Sequence, residues 1–246
     1  MGRVVCWFSC GAASAVATKM AIKQFKGSGK EIIIAYTEVA EEHPDNKRFL
    51  KDCEEWFGIP ITILKNEKYN GSIYEVFGKV KYLVGPVGAA CTRLLKKDVR
   101  KQFELPGDIQ VFGFTSEEVE RYERFLDTNN VQAIAPLIDN GVSKSDCLSI
   151  IRKQGIEIPM MYKLGYKNNN CIGCVKGGSG YWNKIRKDFP DVFNRMAEQE
   201  KVLGRTICKY KGERIPLTEL PPDAGRYGSE PDIGCGVICI MAEDKL

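Results

Sequence analysis

Apolar residues in this chain fall into short unbroken runs, separated by longer stretches of helical spacing. The first run, Val4-Val5-Cys6-Trp7-Phe8, stops at Ser9-Cys10-Gly11, and Ala12-Ala13-Ser14 follow at once. Unbroken runs of four to eight apolar residues predict strands buried on both faces. The pattern predicts strands over 4–8, 31–36, 61–64, 110–114 and 131–135. Helical spacing predicts helices over 14–25, 45–57, 92–103 and 143–154, with a shorter turn over 72–77 and a loop over 85–90. Pro44 and Ser143 mark helix starts, and Ser116, followed by Glu117 and Glu118, reads as the cap of a further helix.

Five alternations of strand and helix predict an α/β fold: a parallel sheet of five strands, or slightly more, with helices on both faces. Ligands of such sheets bind outside the carboxyl ends of the strands. The turns after strands one, two and four are therefore expected to face one crevice. The character changes near residue 156, where the alternation stops. Two helices are expected over 180–187 and 190–203, and the tail from Glu213 is rich in Pro and Gly. The expected organisation is a nucleotide-type α/β domain over 1–155 and a small helical and irregular lobe over 156–246.

With 246 residues and 43% hydrophobic content the chain can bury a full core. No window approaches the ~18 apolar residues of a membrane span, and the first residues lack a signal-peptide pattern. A cytoplasmic location without membrane association is expected. The net charge of +4 suits an anionic ligand but is too small to argue for general nucleic-acid binding. The ten cysteines are the outlier. Without a secretory signal they read as thiols, metal ligands or redox groups rather than disulfides. Cys6, Cys53, Cys147 and Cys208 sit in apolar contexts and read as small core residues.

The first turn carries candidate chemistry. A strand that feeds a tight turn into a helix N-terminus leaves backbone N–H groups without partners, at the positive end of the helix dipole. Small residues there let a phosphate approach the backbone. Cys171-Ile172-Gly173-Cys174 places two thiols two residues apart across a glycine turn, as a metal site or a redox pair requires. Cys91 follows a Gly-rich loop, and Cys235 and Cys239 form a second pair; either region could complete a ligand set. Zinc in a closed site would take four ligands, whereas an iron–sulfur cluster on three cysteines keeps one iron open. His43 is the only histidine, which excludes multi-histidine metal sites. Glu38, Glu41 and Glu42 form an acidic group after strand two that could share Mg²⁺ with phosphates. Arg93, Lys96, Lys97, Arg100 and Lys101 read as either a solvated basic face or an anion clamp. Tyr181 and Trp182 beside Lys184 and Arg186 could stack a base, or pack the small lobe.

Taken together, these segments resemble the PP-loop superfamily, and specifically phosphoadenosine phosphosulfate (PAPS) reductase-like proteins of phage and bacterial type. Ser9-Cys10-Gly11-Ala12-Ala13-Ser14 resembles the Ser-Gly-Gly-x-Asp-Ser pyrophosphate loop. Tyr36-Thr37-Glu38 with Glu42-His43-Pro44-Asp45 is similar to the family's Asp-Thr-Gly…Pro-Glu segment. Cys91-Thr92 with Lys96 resembles Cys-Cys-x-x-Arg-Lys, and the segment from Gly113 to Glu118 resembles Gly-x-Arg-x-x-Glu/Gln-Ser. Cys171 and Cys174 match the Cys-x-x-Cys half of a 4Fe–4S site in adenylylsulfate reductases. The chain departs at Cys10, which stands for a glycine, at Ala13 for the aspartate, at Thr92 for a cysteine and at Thr115 for an arginine. Of the Glu-Cys-Gly-x-His tail only Cys235-Gly236 remains.

The resemblance implies an adenine nucleotide alpha hydrolase-like fold that binds ATP or PAPS, with Mg²⁺ accompanying the phosphates. It places the nucleotide against Ser9, Cys10, Gly11, Ala12, Ala13, Ser14, Thr37, Glu38, Lys96 and Gly113. It makes Cys91, Cys171 and Cys174 ligands of a 4Fe–4S cluster, with zinc as the alternative, and Cys91, Cys235 and Cys239 the candidate catalytic thiols. The activity implied first is ATP-dependent adenylation of a substrate followed by sulfur transfer. Reduction of PAPS or adenylylsulfate is the alternative, and a non-catalytic nucleotide-binding or zinc-stabilised interaction module is the reading from another class. The sulfur acceptor would be a tRNA base, DNA or a small molecule. A sulfur-donor protein and a second copy of the chain are the remaining expected partners.

Overall fold

The computed structural model describes residues 2–85 and 88–234. Five strands form one parallel sheet: β1 (Arg3–Phe8), β2 (Glu31–Thr37), β3 (Ile61–Leu64), β4 (Ile109–Val111) and β5 (Gln132–Ile134). Their spatial order is β3-β2-β1-β4-β5. β1 is central, paired with β2 from Arg3↔Glu31 to Phe8↔Tyr36 and with β4 from Val4↔Ile109 to Cys6↔Val111. Strand order reverses between β1 and β4, so the carboxyl ends of these two strands diverge and leave a crevice.

β1 shows why its run is unbroken. Val4, Cys6 and Phe8 pack on one face with α1 (Ala12–Phe25), α2 (Asn46–Phe57) and residues 137–158. Val5 and Trp7 pack on the other face with Phe112, Phe114 and Phe125. Alternate side chains of a strand point to opposite faces, so a strand covered on both must be apolar throughout. The inner face of α1 is built from Ala12, Ser14, Ala15, Val16, Ala17, Thr18 and Ala21, which lets the helix lie close to the sheet.

α3 (Ile73–Val80) is capped by Ser72, and residues 84–85 and 88–89 form a short antiparallel pair where a plain loop is expected. α4 runs continuously over 90–103 and widens into a π turn at Arg93–Lys97. α5 (Val119–Thr128) follows a 3₁₀ turn whose capping box is Thr115 with Glu118, one residue before the expected Ser116 cap. Thr115 is the residue with extended backbone, so its hydroxyl reaches the N3 position. α6 (Lys144–Lys153) carries the Ser143–Asp146 capping box.

Beyond the sheet, α7 (Ser179–Asp188) and α8 (Pro190–Leu203) pack together with an antiparallel pair, Cys208–Tyr210 with Glu213–Ile215, that the hydrophobic pattern alone does not announce. Their apolar core is continuous with Tyr69, Tyr74, Phe77, Leu83 and Leu95 from the first half of the chain. Residues 160–178 return from α6 to the carboxyl edge of the sheet, and 230–234 follow them there. Among the described residues no helix is long and apolar enough to cross a membrane.

Candidate functional site

A cleft of about 420 Å³ opens at the β1/β4 crevice, a size suited to a small ligand. Its floor is Ser9, Gly11, Ala13 and Ser14, and one wall is Phe112, Gly113, Thr115, Glu117, Glu118 and Arg121. Tyr162 and Asn168-Asn169-Asn170 form the opposite wall, with Lys144 and Asp232-Ile233-Gly234 at the mouth.

The floor has a defined internal geometry. Ser9 N–H donates to Ser14 Oγ at 3.1 Å, and Ser14 Oγ donates to the Gly11 carbonyl at 3.0 Å. The first intrahelical bond of α1 is Ala15 N–H to the Gly11 carbonyl at 3.1 Å. The N–H groups of Ala12, Ala13 and Ser14 precede it and have no acceptor within the helix. Ala12 N–H points at the Tyr162 hydroxyl, 3.2 Å away. Burial pushes that phenol up to about 12, so it stays neutral near pH 7. Cys10 adopts a left-handed conformation, φ 54°, and its side chain is fully buried. Burial, with Glu42 nearby, pushes the Cys10 thiol well up, so it is no nucleophile at neutral pH.

Gly113 ends the opposite wall so close to α1 that a Cβ there would stand 2.6 Å from Ser14 N and 2.7 Å from Ser14 Cα. A glycine is required because two backbones meet. β4 ends at Val111 rather than at 114. Thr115 is buried and bound to Glu118, Thr115 Oγ1 donating to Glu118 Oε2 at 3.2 Å.

Charge at the mouth is mixed. Arg121 pairs with Glu118. Lys144 Nζ donates to Asn168 Oδ1 at 2.7 Å and to Asp232 Oδ2 at 2.6 Å. Asn170 Nδ2 donates to the Ile233 carbonyl at 3.0 Å, and Lys176 Nζ to the Gly234 carbonyl at 3.0 Å. Residues 232–234 are thus tied across the opening by three side chains from two different segments.

Of the ten positions expected to meet a nucleotide, Ser9, Gly11, Ala13, Ser14 and Gly113 line the cleft. Cys10 and Ala12 lie buried directly beneath it. Thr37, Glu38 and Lys96 lie elsewhere: Thr37 is buried at the end of β2, Glu38 N–H donates to the Leu64 carbonyl, and Lys96 pairs with Glu42. The turn after β2 does not line this cleft, and reaches it through Asn46, which accepts from Asn169.

Two of the three acids after β2, Glu41 and Glu42, are spent on structure. Glu41 caps α3, accepting from Ser72 Oγ at 2.6 Å and Ile73 N–H at 2.9 Å. Glu42 accepts from Tyr36 and Asn46 as well as Lys96. The basic helix turns inward as well: Lys96, Lys97 and Arg100 are buried, and Arg100 donates to Asn129 Oδ1 at 2.8 Å. A solvated basic face does not describe these three. Half-buried His43 accepts from Asp45 N–H at 3.1 Å and lies against Phe189. Tyr181 and Trp182 are buried in the apolar core that α7 and α8 share with residues 69–95.

Cys91, Cys171 and Cys174 belong to one apolar cluster. Gly173, φ 76°, turns the Cys-x-x-Cys segment, and the Tyr181 hydroxyl accepts from Cys174 N–H at 2.9 Å. Among the described residues, no three His, Cys, Asp or Glu side chains are grouped to hold a metal ion. Cys235 and Cys239 lie outside the described residues.

Tyr162, Lys144, Arg121, Asp232 and the three asparagines line the cleft without belonging to the expected site. Only the asparagine run leaves a trace in the sequence, as a polar break just before Cys171.

The family model of the phosphoadenosine phosphosulfate reductase domain matches residues 3–178. No curated protein matches the chain. The matched span contains the whole sheet, the 9–14 loop, Gly113 and the Cys-x-x-Cys segment. The chain belongs to the phosphoadenosine phosphosulfate reductase domain family, a family of nucleotide-utilising enzymes with the adenine nucleotide alpha hydrolase-like fold.

Proposed function

We propose that this family member binds ATP in the β1/β4 cleft, adenylates a substrate oxygen and exchanges that oxygen for sulfur. The observation that carries this reading is the loop of residues 9–14 on the cleft floor, where the N–H groups that open α1 have no acceptor within the helix. In the first step a substrate oxygen attacks the α-phosphorus as the bond to pyrophosphate breaks. The loop N–H groups, with Ser9 and Ser14, stabilise the departing pyrophosphate, and Lys144 and Arg121 add positive charge at the mouth. In the second step a hydrosulfide-level sulfur from a donor protein attacks the activated carbon, and AMP leaves with the original oxygen. The acceptor is a tRNA base, a DNA group or a small molecule.

Thr115 favours this reading over reduction of a sulfonucleotide. It stands where the reductases carry arginine, and its hydroxyl is committed to Glu118 inside the fold. Cys91, Cys171 and Cys174 are the proposed ligands of a 4Fe–4S cluster, with a fourth position open or filled from the cysteines after Gly234. Such a cluster, held by these cysteines, would supply an iron with an affinity for sulfur. Cys91, Cys235 and Cys239 are the proposed sulfur-handling thiols, and Mg²⁺ accompanies the nucleotide.

The test is anaerobic purification followed by iron, sulfide and zinc analysis, ATP and PAPS binding, and an assay of pyrophosphate release with candidate acceptors. ATP binding with acceptor-dependent pyrophosphate release is expected. PAPS binding with sulfite release would replace the reading with sulfonucleotide reduction. Nucleotide binding with neither product would leave a binding module, and zinc without sulfide would remove the cluster.

A further inference from the structure

Cys10 is one of four described non-glycine residues with positive φ. A side chain in that region is strained relative to glycine, which has no Cβ to clash. Its carbonyl does not point into solvent. Asn169 Nδ2 donates to Cys10 O at 2.7 Å and to Asn46 Oδ1 at 2.9 Å. Asn46 is itself fixed, its Nδ2 donating to Glu42 Oε2 at 2.9 Å. Asn169 is buried, and its Oδ1 has no hydrogen-bond partner among the described residues. The amide is therefore held by its donor side alone, at the cost of a buried acceptor left unpaired.

We propose that Asn169 is the positioning residue of the phosphate loop: its amide holds the Cys10 carbonyl so that a cysteine keeps the left-handed turn a glycine would adopt unaided. With Cys10 turned this way its thiol goes into the core beside the Asn46 carbonyl, and Gly11, Ala13 and Ser14 line the cleft. Asn169 lies two residues before Cys171. The segment that presents Cys171 and Cys174 therefore sets the shape of the loop that meets the phosphates, and the two sites are joined by one side chain. The consequence for ligand affinity rests on the nucleotide reading above; the positioning role does not.

A double-mutant cycle tests it, with wild type, Asn169→Ala, Cys10→Gly and the double variant. Two readouts are needed: ATP affinity by calorimetry, and amide hydrogen exchange of peptides spanning residues 9–14 and 31–37. In the wild-type background, loss of the amide is expected to weaken ATP binding about tenfold, equivalent to about 1.4 kcal/mol. Exchange should speed up in 9–14 and stay unchanged in 31–37. In the Cys10→Gly background the same Asn169→Ala change should have an effect of less than about threefold. Equal effects in both backgrounds would overturn the proposal, because Asn169 would then act through Asn46 or packing. Unchanged exchange at 9–14 in Asn169→Ala would overturn it as well. If wild type binds neither ATP nor PAPS while the exchange cycle shows rescue, the nucleotide reading fails and the positioning role stands. Should Asn169→Ala not fold, the isosteric Asn169→Asp removes the donor and is read in the same cycle.

Discussion

Lys96 Nζ lies 3.4 Å from Glu42 Oε1, in a pair whose side chains are only 8% and 4% exposed. Glu42 also accepts from Tyr36 Oη at 2.6 Å and Asn46 Nδ2 at 2.9 Å. Burial raises the Glu42 pKa, against the opposing pull of Lys96 and these two donors. The pair sits under the loop of residues 9–14, with Asn46 as the link between Glu42 and Asn169.

Removing one charge of such a pair is costlier than removing both. Lys96→Met is expected to destabilise the fold by about 3 kcal/mol, because Glu42 is left buried without its counter-ion. Lys96→Met with Glu42→Gln should recover at least half of that loss. Urea unfolding midpoints of the two variants provide the comparison; equal stability of the single and double variants would contradict it.

Gly113→Ala places a methyl group 2.6 Å from Ser14 N, against backbone that has no rotamer to give way. Overpacking of this kind costs about 1–3 kcal/mol. Since the displaced atoms belong to the phosphate loop, ATP affinity should fall further than thermal stability alone would suggest. Calorimetry at a temperature where the variant is fully folded separates the two effects.

Lys144→Ala removes the cation that holds Asp232 and Asn168 at the mouth. The affinity for a polyphosphate ligand is expected to fall about five- to tenfold, as for loss of a charge-assisted hydrogen bond. The salt dependence of binding should flatten at the same time. Titrations at two ionic strengths would reveal it, and an unchanged salt slope would mean that Lys144 stays with Asp232 when ligand binds.

Asp45 links the start of α2 to the returning segment, accepting from Arg48 at 2.7 and 2.8 Å and from Met160 N–H at 2.9 Å. The Arg48 hydrogen bonds hold its carboxyl below the usual range. A carboxyl held below its unfolded value of about 3.9 contributes stability that is complete above that pH. The contribution is lost as the pH falls through the lower folded value. Arg48→Met should therefore lower stability near pH 7 by about 1 kcal/mol and leave a shallower decline below pH ~4. Urea melts from pH 3 to 7 measure both; parallel curves for the variant and wild type would contradict the assignment.

The sheet is legible in the sequence because its central strands are buried on both faces, and unbroken apolar runs record that directly. The loop of residues 9–14 is legible for a related reason: small residues straight after a strand leave few alternatives to a tight βα turn. Gly113 is legible as a site residue, but its cause, two backbones in contact, appears only in three dimensions. The basic helix misleads because Lys96, Lys97 and Arg100 follow one another at helical spacing whichever way the helix faces. The partners that receive Lys96 and Arg100 in the interior, Glu42 and Asn129, are distant in sequence. Tyr162 and Lys144 leave no local mark, since each acts on a partner 150 or 88 residues away.

The cleft draws its parts from residues 9–14, 112–121, 144, 162–170 and 232–234, in a sheet whose central strand pairs across more than a hundred residues of chain. Such non-local closures form late and slowly in folding. On a ribosome the β1–β2 ladder can assemble long before the mouth of the cleft has been synthesised. Ligand recognition therefore needs chain up to residue 234, far beyond what the β1–β2 ladder requires. A pulse of labelled nucleotide during refolding would register completed molecules and ignore those with a formed sheet and an open site.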